Sequence, residues 1–86
     1  MRSRRLDLSD SFARVLERHR LAKKLSREAL AERAGLHQTY IGLIERGLRN
    51  PSLDAVDAIA GALGEQLSDL IVEAERARNR AKPDRR

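Results

Sequence analysis

Apolar residues recur at helical spacing along most of the chain. Phe12, Val15 and Leu16, with His19 beyond them, share one face of a first helix. That helix is expected to run from a cap at Ser9 or Asp10 to about Lys23. Ser26 is the next capping residue, and a second helix should cover Arg27–Ala34, although Ala29 stands where a capping box would carry Glu or Gln. Gly35 stops it, because glycine alone enters the left-handed region without strain. A third helix is expected over Gln38–Glu45, ending near Gly47, and Asn50-Pro51-Ser52 reads as a turn followed by a cap. Leu53, Val56, Ile59, Ala60 and Leu63 make one apolar stripe on a fourth helix, closed by Gly64. Ser68 should cap a fifth, carrying Leu70, Ile71 and Ala74 and reaching about Ala77. No stretch alternates with period two, so the pattern predicts an all-α domain of five helices and no strands.

The most informative stretch is Arg27–Arg46, REALAERAGLHQTYIGLIER. Leu30, Ala31, Ala34, Leu36, Ile41 and Ile44 fall where two short helices must bury against each other around Gly35. The polar residues His37, Gln38 and Thr39 open the second of the pair. This is the layout of a helix-turn-helix, whose second helix enters the major groove of DNA with its N-terminal residues on base edges.

Composition narrows the alternatives. The chain has 86 residues and no cysteine, Trp is absent, and Phe and Tyr occur once each. One small domain with an aliphatic core is therefore expected, without disulfides or thiolate metal sites. Residues 1–8 read as a basic arm, 9–75 as the folded domain and 76–86 as an Arg-rich tail, disordered or a fraying extension of the fifth helix. No apolar run approaches the ~20 residues that span a bilayer, and the basic N-terminus leads into no apolar stretch, so a cytoplasmic protein without a membrane partner is expected. Net charge is +6 over residues 1–52, −6 over 53–75 and +5 over 76–86. Such a split suits a protein with one side turned to a polyanion. Two histidines, no HExxH and no phosphate-cradling glycine loop argue against an enzyme. No metal, cofactor or small-molecule ligand is expected.

Three runs, LSREALAERAGL, QTYIGLIERG and RNPSLDAVDAIAGALG, carry a resemblance to the phage-repressor/Cro-type, or XRE-like, helix-turn-helix regulators. The resemblance extends from about Leu25 to Ile71. TYIGLIERGLRNPSL further resembles the controller proteins of restriction–modification systems, small free-standing dimers that regulate their own promoter. It implies a lambda-repressor-like domain that binds double-stranded DNA as a sequence-specific transcriptional regulator, with repression or autoregulation expected. Gln38 matches the family position that reads a base, and its amide suits adenine N6/N7. Thr39 can bond a base or touch a thymine methyl, and His37 can reach a base or a phosphate. Tyr40 either contacts DNA or packs on the neighbouring helix. Arg27 matches a position that grips the DNA backbone at the second helix's first turn, while Arg46, Arg49 and Asn50 should flank the same groove. Arg20 and Glu45 match a pair that forms a partly buried salt bridge in relatives. His19 is expected to pack on the core face of the first helix.

A single module buries too little DNA for tight specific binding, so a homodimer reading a pseudo-palindromic site is expected. The apolar side of the fifth helix, Leu67, Leu70, Ile71 and Ala74, is the expected joint. An alternative function is an antitoxin that neutralises a partner toxin through the tail or the fifth helix.

Overall fold

The computed structural model describes residues 7–81, with five helices in the order α1 (Asp7–Ala22), α2 (Arg27–Ala34), α3 (Gln38–Glu45), α4 (Leu53–Leu63) and α5 (Leu67–Ala81). No strand occurs among the described residues. Residues 1–6 of the basic arm and 82–86 of the tail lie outside them.

The core is aliphatic. Val15 and Leu16 from α1, Leu30 from α2, Ile41 and Ile44 from α3, Ile59 and Leu63 from α4 and Leu70 from α5 are fully or almost fully buried. Phe12 adds the one buried aromatic ring. Burial of each large side chain is worth roughly 1.5–3 kcal/mol, which is how five short helices hold together. The most extensive packing joins α1 to α5, while α2 packs on both α3 and α4.

Four helices end on the same device. The backbone N–H of Leu25, Leu36, Leu48 and Glu65 bonds back to the carbonyl of Arg20, Ala31, Leu43 and Ala60, at 2.8–3.1 Å. The residue before each, in the left-handed region, donates to a second carbonyl one turn back. This is the Schellman motif, which satisfies the last carbonyls of a helix and folds the following residue back over it. Leu25 and Leu36 accordingly pack against the core. Glycine occupies the left-handed position at Gly35, Gly47 and Gly64, but α1 ends on Lys24, with φ 61°.

Several boundaries differ from the sequence expectation. Helix α1 has already begun at Asp7, so Ser9 and Asp10 lie within it rather than capping it. Leu8 packs against the core, one turn before Phe12, and Asp10 pairs with Arg14 at 3.2 Å. The helix stops at Ala22 because Lys24 turns left-handed. Helix α5 starts at Leu67, with Ser68 inside its first turn, and the Gln66 carbonyl accepts the N–H of Leu70 at 3.2 Å. It continues to Ala81, so Arg76, Arg78 and Arg80 of the tail are helical. Basic residues in a last turn favour that extension by opposing the helix dipole.

His19 also departs from expectation. It does not simply pack on the core. Its Nδ1 lies 3.3 Å from Glu65 and its Nε2 lies 2.9 Å from Glu73, so the ring spans two carboxylates. Arg18 meets the same Glu73 at 2.7 Å. The hydrogen bond from His19 holds the Glu73 carboxyl below its ordinary range, with the charges of His19 and Arg18 adding to it. Lys23 donates to the Leu63 carbonyl at 2.7 Å, placing a cation at the C-terminus of α4.

The left-handed Lys24 carries a steric cost of roughly 1–2 kcal/mol that glycine avoids, offset partly by the greater freedom of an unfolded glycine. Lys24→Gly is therefore expected to stabilise the fold by about 0.5 kcal/mol and to raise the melting temperature by roughly 2–4 °C in a thermal scan.

Candidate nucleic-acid interface

Ser26 caps α2 by accepting the N–H of Ala29 at 3.0 Å, and Gly35 (φ 72°) redirects the chain into α3. Ile41 and Ile44 turn one face of α3 into the core. The opposite face is thereby forced outward at the start of the helix, and His37, Gln38 and Thr39 are all exposed there. His37 occupies the position before the first turn of α3, in extended backbone, and its side chain makes no capping bond.

The end of α3 is fixed by charge. Glu45 has a side chain only 1% exposed, and Arg20 grips it with two bonds, Nε at 2.7 Å and Nη2 at 3.0 Å. Arg20 also donates Nη1 to the Leu25 carbonyl at 2.8 Å. Bonding to Glu45 pushes the Arg20 guanidinium above its already high ordinary value, against the opposing effect of burial. Arg27 is the third member, its Nε donating at 2.8 Å to Oε1, the same Glu45 oxygen that accepts Arg20 Nη2. One carboxylate thus ties α1 and α2 to the C-terminus of the exposed helix. Nothing in the sequence pattern linked Arg27 to Glu45.

The loop after α3 holds Arg46, Arg49 and Asn50, all exposed. Tyr40 takes the packed alternative. Its ring lies against the core, its hydroxyl accepts the backbone N–H of Ser52 at 3.2 Å, and the Arg49 guanidinium sits 5.7 Å from the ring centre. Ser52 in turn caps α4 by accepting from Ala55. Tyr40 therefore joins the first turn of α3 to the N-terminus of α4.

The expected dimer residues separate into two kinds. Leu70 and Ala74 have no exposed surface, because α5 presses them into its own core. They cannot form a joint with a second chain unless the monomer opens. Leu67 and Ile71 are only partly buried.

The helix-turn-helix family model HTH_3 matches residues 16–70, from the middle of α1 to the first turn of α5. The chain belongs to the helix-turn-helix family. Among its relatives, the control protein C.BamHI of Bacillus amyloliquefaciens is 48% identical over 61 residues, 70% of this chain and 75% of that protein. The immunity repressor protein of Bacillus phage phi105 is 46% identical over 54 residues, 63% of this chain and 38% of the repressor. The crystal structure of the restriction-modification controller protein C.AhdI of Aeromonas hydrophila superposes with a TM-score of 0.70 at 40% identity, covering 72% of this chain and 94% of that one. Against this helix-turn-helix frame, the solvent-facing Gln38 and Thr39 occupy the start of the recognition helix. No helix among the described residues is long and apolar enough to cross a membrane.

The two arginines on Glu45 should differ in weight. Arg20 is 8% exposed at its side chain and Arg27 is 37% exposed. Arg20→Ala strands a buried carboxylate and is expected to cost about 3–5 kcal/mol. Arg27→Ala removes a half-hydrated partner and should cost under about 1 kcal/mol. Urea unfolding of the two variants measures the difference.

Proposed function

We propose that this helix-turn-helix regulator acts as a dimer on a pseudo-palindromic operator, controlling its own promoter in the manner of a restriction–modification controller. The observation that carries the reading is the exposed Gln38–Thr39 pair on a helix start whose far end is locked by Glu45. Preorganised polar groups on a rigid helix can meet base edges without first paying to become ordered. Gln38 reads adenine, Thr39 a neighbouring base, and His37 reaches a base or phosphate beside them. Arg27, Arg49 and Asn50 set the register on the backbone, where contacts confer affinity and salt dependence rather than sequence choice. The protein works in the cytoplasm, and its concentration sets its occupancy.

The dimer joint lies beside the one first expected from the sequence. Leu8 and Phe12 of α1, Leu53 of α4 and Ile71 of α5 line an apolar cleft. Leu53 stands 74% exposed at the edge of it. A second copy of the chain is the occupant that a palindromic site requires, and two half-sites about 10–10.5 bp apart match its two-fold symmetry. The acidic stretch that includes Leu53 and Ile71 reduces repulsion between two otherwise basic domains.

Selection of bound duplexes from a random pool, followed by footprinting, tests the whole reading by returning half-site sequence, spacing and symmetry. Gln38→Ala should weaken binding to the selected site by about 5- to 150-fold while leaving scrambled duplex almost unaffected. Equal losses on both would remove Gln38 from base recognition. Leu53→Asp places a carboxylate at the favourable N-terminus of α4 and removes apolar surface from the cleft. It should leave the melting temperature almost unchanged, yet reduce the species seen in sedimentation equilibrium to the 9.7 kDa monomer. A variant that sediments as the wild type would move the joint elsewhere.

A further inference from the structure

Gln38, Gly42 and Arg46 follow one another at four-residue intervals, so they form a single line along α3. Gly42 is buried, although Gln38 before it is exposed. The cover is Arg46. A Cβ placed on Gly42 would lie 3.2 Å from Arg46 Nη1 and 3.9 Å from Cζ. The guanidinium is therefore folded back toward the start of the helix instead of reaching outward from its end.

Its donors are also unspent. Arg27 gives its Nε to Glu45, and Arg49 lies over Tyr40. The Arg46 guanidinium has no hydrogen-bond or ion-pair partner among the described residues. Lying at the level of Gly42, it sits about one helical turn, or roughly 6 Å, from Gln38 along the axis. That is under two base-pair steps of about 3.4 Å each.

We propose that Arg46 is a specificity-determining residue that reads a guanine in the major groove, one or two base pairs from the base read by Gln38, and that Gly42 is the space its fork needs. The proposal rests on the DNA-reading role of α3 given above. It changes the role expected for Arg46, from gripping a phosphate to reading a base. The chemistry fits: a planar guanidinium presents two parallel N–H groups that match O6 and N7 of guanine. A methyl on residue 42 would crowd that fork.

The test uses wild type, R46A, R46K and G42A, each selected against a synthetic duplex pool with a randomised core. The wild type should return a half-site containing a guanine next to the position that depends on Gln38. R46A and R46K should lose preference at that guanine alone, and G42A should weaken it without lowering the melting temperature. Replacing the guanine by 7-deazaguanine should cost the wild type about 5- to 150-fold in affinity and R46A almost nothing. If R46A returns the full motif and merely binds every duplex more weakly, Arg46 is a phosphate contact and the proposal is overturned. If the wild type selects a motif without a guanine at that place, it is overturned alone. If the wild type selects no motif at all, the DNA-reading role of α3 falls with it.

Discussion

The Glu45 carboxylate is the constraint on which this small molecule depends. It is almost completely removed from solvent and faces two arginines from two other helices. A buried carboxylate without partners would be intolerable in so modest a core. With Arg20 and Arg27 in place it becomes a pin through α1, α2 and the end of α3. A helix of eight residues is too short to be stable by itself in water. The presentation of Gln38 to solvent therefore depends on that pin and on the burial of Ile41 and Ile44.

Backbone chemistry complements the pin. Repeated Schellman endings after α1, α2, α3 and α4 satisfy the terminal carbonyls, and the next helix begins within three to seven residues of each. Short connections leave little freedom in how successive helices meet. Tyr40 adds a second tie, joining the first turn of α3 to the cap of α4 through Ser52. The recognition helix is thus held at both ends, by charge at its C-terminus and by a hydroxyl near its N-terminus. Rigid placement of a few polar groups is what a base-reading surface needs, since each rotor left loose would have to be ordered on binding.

Charge is sorted along the chain to match. The acidic stretch of residues 53–75 forms α4 and the first part of α5, where Glu65 and Glu73 hold His19 and Arg18 against α1. Those carboxylates tie α5 and the end of α4 to α1. Arg33 of α2 and Arg46 and Arg49 of the loop after α3 stay exposed to solvent, and the arginines of late α5 extend that helix beyond the family's common region.

Helix number, order and type were legible in the sequence, because apolar periodicity and the glycines at 35, 47 and 64 are local signals. The Arg20–Glu45 pair was legible only through resemblance, and the boundaries of α1 and α5 shifted where Leu8 and the arginines beyond Ala77 extended them. What no local signal carries is which face each side chain finally meets. Leu67, Leu70, Ile71 and Ala74 look alike on an apolar stripe. Only the packing of α5 on α1 buries Leu70 and Ala74 completely and leaves Ile71 in a cleft with Leu53. Arg27 joins Glu45, Tyr40 turns to Ser52 and Arg46 folds over Gly42 for the same reason: contacts between residues distant in the chain, or rotamers chosen in a crowded space, are decided by the assembled volume around them. Sequence determined which helices form and which chemistry they carry; tertiary packing decided which of those groups remain free to meet a partner.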